Sequence, residues 1–267
     1  MTALADDLSR PEAYPSAPSR IERVETHISW VFLTDDEAFK VKKPVDFGFL
    51  DFRTLAARRA ACEAELRLNA RLAEGVYRGL VPVRRDAEGR HALGEGPGEI
   101  VDWAVRMRRL PDARRADLML ARGELGPSHV DRIAERIAKF HAACPANAET
   151  ARFGMPEAIS TSVEENFRQV GPALADYVAA GEATEIQRAQ RADLAARRAT
   201  FERRAADGRV RDGHGDLRLE HVYFEDDGSV CVIDCIEFND RFRFGDVAGD
   251  VAFLSMDLMH SGAVDLA

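Results

Sequence analysis

Apolar and polar positions change period several times along this chain, and each change marks an element. Ile28 to Leu33 is a strand-like run, and after the turn residues Asp35-Asp36-Glu37 the segment Ala38-Phe39-Lys40-Val41-Lys42 alternates as a strand does. That period puts Lys40 and Lys42 on one face and Phe39 and Val41 on the other. From Arg53 to Ala73 the residues are strong helix formers without Gly or Pro, with Asp51 or Thr54 as cap and Gly75 just past the end. Leu55, Cys62, Leu66, Asn69 and Ala73 share one side of this helix, and Glu65 lies where it can look back to the strand. Leu80 to Arg84 and Ile100 to Arg109 read as further strands, separated by loop and hairpin residues from Asp86 to Gly98.

The second half reads mostly as helix. Pro127 opens one that runs to Ala143 with a core stripe of Val130, Ile133, Ile137 and Phe140. Met155 to Ala206 is helical and arginine-rich, and Val251 to Met259 begins an apolar helix. Between them, Val222-Tyr223-Phe224 and Val230 to Ile233 are short strands around the turn residues Asp226-Asp227-Gly228.

With 267 residues, 46% hydrophobic and 31% charged, the chain can bury a sizeable core, as one domain of two lobes or as two small domains. A formal net charge of -9 argues against nucleic acid or an anionic membrane as a partner. No apolar run of membrane-spanning length exists, and Met1 to Arg10 carries acids where a signal peptide has a basic region and apolar core. Cys62, Cys144, Cys231 and Cys235 form no Cys-x-x-Cys pair and read as buried reduced thiols of a cytoplasmic protein.

Of 37 basic residues only four are lysines, and three of those are Lys40, Lys42 and Lys43. A chain that uses arginine almost everywhere else keeps ammonium groups at one place. A compact point charge on a flexible stem suits a site gripping phosphate oxygens from a strand. The competing reading is a basic edge strand that discourages aggregation.

His214-Gly215-Asp216-Leu217-Arg218-Leu219-Glu220-His221, with Asp234 thirteen residues further on, supplies carboxylates on neighbouring segments. Phosphoryl transfer needs one carboxylate to orient and deprotonate an acceptor hydroxyl and another to hold a divalent metal on the nucleotide phosphates. Asp216 suits the first role and Asp234 the second. His-Gly-Asp alone is ordinary turn chemistry. Asp234 at a strand end, and Gly245-Asp246-Val247-Ala248-Gly249-Asp250 before an apolar helix, shift the balance toward catalysis. His214 then pins the loop and Asp250 anchors it as a buried carboxylate.

With these residues the sequence resembles the aminoglycoside phosphotransferase family, a branch of the protein-kinase-like fold. The resemblance implies an α+β chain, with a small antiparallel-sheet lobe carrying one helix over residues 1–110 and a larger, mostly helical lobe over residues 111–267. It implies ATP as the phosphate donor and a small-molecule hydroxyl as the acceptor. Lys42 is the favoured phosphate-gripping lysine, because the family shows a basic pair followed by Pro, as in Lys42-Lys43-Pro44; Lys40 is the alternative, with small Ala38 two residues before it. Glu65, or less well Glu63, is the ion-pair partner on the helix. The hinge falls at Leu110-Pro111-Asp112, with adenine bonded to backbone between Met107 and Leu110 and Met107 as an apolar wall.

Asp234 and His221 are the implied metal ligands. The family has Asn where this chain has His221, and imidazole, a softer donor, admits Mn beside Mg. Glu164, Glu165, Asn166 and Asp176 are available to an acceptor in the helical lobe. Thr-His-Ile-Ser-Trp, Pro-Val-Asp-Phe-Gly-Phe-Leu-Asp-Phe and Ile-Glu-Phe-Asn-Asp match a branch often fused to a downstream P-loop kinase-like domain, so a fragment of a longer chain is expected. The chain itself has no Gly-Lys-Ser/Thr phosphate loop. Two other readings stand beside this one: a kinase-like nucleotide-binding regulatory module with little catalysis, and a hydrolytic metal site of His214, Asp216, His221 and Asp234. The latter leaves Lys40 to Lys43 and Glu65 without a role.

Overall fold

The alternation of Ala38 to Lys42 sorts two layers of the structure. The computed structural model describes residues 3–174 and 176–267. The first six strands, β1 (Glu22–Glu25), β2 (Ser29–Leu33), β3 (Glu37–Lys42), β4 (Tyr77–Arg85), β5 (His91–Leu93) and β6 (Glu99–Arg108), form an antiparallel sheet in the order β1, β2, β3, β6, β4, β5. Phe39 and Val41 pack on one face with Trp30, Phe32, Val83 and Ala104, closed by Leu8 and Tyr14 from the segment around α1 (Ala3–Asp7). The other face takes α2 (Leu55–Asn69), whose Cys62 joins Ala38, Val105 and Met107.

Thr54 starts α2 by accepting from the Ala57 N–H at 3.1 Å. Arg58 locks the helix to β6, its Nε 2.9 Å from both oxygens of buried Asp102 and one terminal nitrogen 2.9 Å from the Phe52 carbonyl. The helix stops four residues short of the expected Ala73. Leu72 leaves it to give its carbonyl to the Val232 N–H at 3.2 Å, and Gly75 turns the chain with φ +72°. Strand β1 was not legible in the sequence because its Glu-Arg-Val-Glu is an edge strand with no fully buried residue.

The rest is mostly helical: α3 (Ala116–Ala121), α4 (Pro127–Ala143), α5 (Ala148–Ala151), α6 (Pro156–Leu174), α7 (Ala180–Ala196), α8 (Arg198–Ala206), α9 (Asp240–Arg243) and α10 (Val247–His260). The helical stretch from Met155 to Ala206 is thus three helices, with Ala175 outside the described residues. Two small antiparallel pairs thread between the helices, β7 (Val210–Asp212) with β10 (Phe244–Asp246) and β8 (Val222–Phe224) with β9 (Val230–Val232). Ile133, Ile137 and Phe140 of α4 pack against Leu217, Leu219, Val222 and Val232, and Leu254 and Leu258 of α10 close this core. Among the described residues no helix is long and apolar enough to cross a membrane.

Candidate active site

Register and helical spacing bring the predicted charges together. Lys40 and Lys42 point from β3 toward α2, and Glu65 meets both: its Oε1 lies 3.0 Å from Lys40 Nζ and its Oε2 2.6 Å from Lys42 Nζ. Glu63 faces outward and pairs with Arg59 at 2.9 Å. The two lysines differ beyond Glu65. Lys40 also contacts the Asp234 carboxylate and lines the cleft, whereas Lys42 is wholly enclosed, with Glu237 Oε1 2.5 Å away. The cleft-facing lysine is therefore Lys40, the reverse of the preference drawn from the Lys-Lys-Pro wording. Lys42 has no open path to a ligand because Glu65 and Glu237 occupy its ammonium.

Ion pairing outweighs burial at Asp234 and Glu65, whereas burial keeps the Glu237 carboxyl above its ordinary value against the pull of Lys42. Partial desolvation at the cleft opposes ionisation of Asp234, but Lys40 and then His221 hold its carboxyl below the usual carboxylate range. Burial likewise opposes charge on Glu65, and Lys40 and Lys42 overcome it.

Strand β7 leads into the His-Gly-Asp loop, and Asp250 in the first turn of α10 fastens it. Its carboxylate accepts from the His214 and Gly215 backbone N–H groups at 2.9 Å each and from His141 Nε2 at 2.8 Å. Gly215 adopts φ +86°, and a Cβ there would lie 2.6 Å from the Phe242 carbonyl, so this position requires glycine. His214 accepts from the Asp216 N–H at Nδ1 (3.2 Å) and donates from Nε2 to the Ile233 carbonyl (2.9 Å). Full burial lowers its pKa to about 4, so it is a neutral strut between the loop and the end of β9. These bonds also occupy both ring nitrogens, which removes His214 from the ligand set of a hydrolytic metal site.

His221 stands between the Asp216 and Asp234 carboxylates. Its Nδ1 donates to the Asp216 carbonyl at 2.9 Å, and its Nε2 faces Asp234 Oδ2 at 3.7 Å. Burial raises the Asp216 pKa above the ordinary aspartate value, with His221 and Arg218 pulling the other way. Asp234 sits at φ +64°, a conformation aspartate tolerates, and its N–H donates to Tyr77 Oη at 3.3 Å.

Lys40, Glu65 and Asp234 form one end of a cleft of about 180 Å³, walled further on by Met107, Leu110 and Tyr223. A larger apolar cavity of about 520 Å³ between α4 and α10 has none of Lys40, Glu65, Asp216, His221 or Asp234 in its wall. Glu164 and Glu165, named as acceptor contacts, are already paired with Arg191 and Arg241. Sequence reading missed Glu237 and Tyr77. Glu237 lies inside the Ile-Glu-Phe-Asn-Asp wording three residues after Asp234, and that spacing was its only signal; Tyr77 had none.

The model of the phosphotransferase enzyme family matches residues 35–266. The chain belongs to that family. The sheet lobe with one packed helix, joined to a helical part that carries the His-Gly-Asp loop, is its kinase-like α+β fold. The chain is 35% identical over 243 residues to uncharacterized proteins of Mycobacterium bovis and Mycobacterium tuberculosis. The match covers 91% of this chain and 46% of theirs, so the chain spans about half the length of those relatives. It also resembles, at 16% identity and a TM-score of 0.45, the solved structure of the GDP and kanamycin complex of APH(2")-IIia, over 92% of this chain and 76% of that one.

Proposed function

We propose that this phosphotransferase moves the γ-phosphate of ATP to a hydroxyl of a small molecule. The observation that carries the reading is the convergence, from three distant parts of the chain, of Lys40, Glu65 and Asp234, with His221 linking them to Asp216. Glu65 steadies Lys40, Lys40 neutralises phosphate oxygens, and Asp216 orients the acceptor hydroxyl and takes its proton. The raised pKa of Asp216 makes it a better base than an exposed aspartate. Met107 and Leu110 supply the apolar slot for the base.

The donor set fits a divalent ion. Asp234 offers an ionised carboxylate, and His221 a ring nitrogen, Nε2, held toward that carboxylate. Among the described residues no group of three or more His, Cys, Asp or Glu is arranged to hold a metal, so Asp234 and His221 would hold the ion together with nucleotide phosphate and water, as would suit Mg or Mn. Bound there, the ion neutralises charge on the phosphates undergoing transfer.

At about 180 Å³ the cleft is narrower than the roughly 300 Å³ or more of an ordinary ligand pocket, so nucleotide binding parts the walls. Cys62, Cys144, Cys231 and Cys235 are free and buried, which supports a cytoplasmic setting. Calorimetric titration of ATP with Mg and then Mn, on the unaltered protein and on Asp234→Asn, tests the reading. Metal-dependent binding that the substitution removes is the expected result, and no binding with either metal would sink it.

A further inference from the structure

Five side chains form an unbroken row of alternating charge where the sheet meets the segment after β9: Asp234, Lys40, Glu65, Lys42, Glu237. The two lysines are two residues apart on β3, and the two outer carboxylates are three residues apart on the segment. Strand and segment are therefore joined twice, by Lys40 to Asp234 and by Lys42 to Glu237, with Glu65 of α2 shared between the lysines. The first join faces the cleft, where the Asp234 side chain is 41% exposed; the second is sealed, with Lys42 0% and Glu237 3% exposed.

These joins cannot serve the same purpose in the reaction. When Lys40 turns to phosphate oxygens and Asp234 to a metal ion, they no longer hold each other. Only Lys42 and Glu237 then remain to tie β3 ionically to the segment that carries Asp234. Glu65 has one oxygen on each lysine, so Lys42 also fixes the carboxylate that steadies Lys40. Apolar side chains of similar volume commonly fill such a space at no cost in stability, so burial of a second ion pair calls for a use other than packing.

We propose that Lys42 and Glu237 are a positioning pair. They keep β3 in register with the segment from Asp234 to Phe238, and Glu65 aimed at Lys40, while nucleotide draws Lys40 away from Asp234. The trigger rests on the phosphotransferase reading; the tie can be measured without nucleotide.

The Cys235 N–H reports on the tie, because it is buried and donates across the junction to Asn69 Oδ1 of α2 at 2.9 Å. Its hydrogen exchange is compared in the unaltered protein, in Asp234→Asn, in Lys42→Met with Glu237→Met, and in all three substitutions together. Each set leaves Lys40 paired with Glu65, so no lone buried charge is created. Asp234→Asn and the methionine pair should each retain most of the protection, and the combined variant should exchange about tenfold faster or more, the range of coupling between contacting groups. A combined variant no faster than Asp234→Asn alone would overturn the proposal.

ATP titration of the same proteins separates positioning from packing. The methionine pair is expected to melt with the unaltered protein yet bind metal–ATP about tenfold more weakly, whereas recovery of both stability and affinity would reduce Lys42 and Glu237 to filler and overturn the proposal. Failure of the unaltered protein to bind ATP sinks the kinase reading, and the exchange comparison still decides the tie.

Discussion

Asp250→Ala tests what holds the His-Gly-Asp loop. The carboxylate accepts three hydrogen bonds, two of them from the backbone N–H groups of His214 and Gly215 and one from His141 Nε2. His214 is completely buried, so its N–H cannot turn to water when the acceptor is removed. A buried donor left unpaired costs about 1–3 kcal/mol, and the part-buried Gly215 N–H costs less, which gives about 2–4 kcal/mol for the substitution. Against a domain stability of about 5–15 kcal/mol this is a large fraction. Asp250→Asn keeps one acceptor oxygen and turns an amide N–H₂ toward the other donors, so it should lose about half as much. Urea denaturation at neutral pH reads both variants as shifts of midpoint at unchanged slope. A loss under about 1 kcal/mol for Asp250→Ala would refute the anchoring role, because no relaxation of a fully buried N–H hides that cost.

Asp216→Asn should abolish phosphate transfer while metal–ATP still binds, seen as calorimetric binding without ATP turnover in an acceptor screen; turnover at the unaltered rate would exclude Asp216 as the base. Arg58→Met strands Asp102 in the core and should destabilise the protein by about 3–5 kcal/mol, whereas Arg58→Met with Asp102→Leu should recover most of that in the same denaturation assay. Equal losses in the two would mean that the pair is held by something other than charge. His214 has a folded pKa of about 4 against an ordinary 6.5, so it is neutral in the fold and the unfolded chain takes the proton first. Its share of stability is intact above pH 6.5 and falls by about 3 kcal/mol as the pH drops to 4, at about 1.4 kcal/mol per unit. His214→Gln should flatten that slope in denaturation curves taken across the interval, and parallel curves would contradict the assignment.

Several features were decided by local sequence. The two-residue alternation of Ala38 to Lys42 settled which side chains enter the core and which face α2, because strand geometry leaves no other choice once Phe39 and Val41 need burial. Pro127 and the apolar stripe behind it marked α4 from end to end, since a proline start and a helical period are both written in neighbouring residues. The turn Gly215 makes, and the loop pinned by His214 and Asp250, followed from residue types with few alternative uses.

The tertiary structure alone decided the rest. Lys40 and Lys42 share a face, so periodicity cannot say which one meets the cleft. That depends on Asp234 and Glu237, which arrive from 194 and 195 residues further along and take one lysine each. Tyr77 came to brace Asp234 by the same kind of long-range packing, and β1 exists only because β2 offers its edge. Local pattern determines which way a side chain points; how deeply it lies and what it meets depend on elements distant in the chain, and their charges converge only once the core has folded.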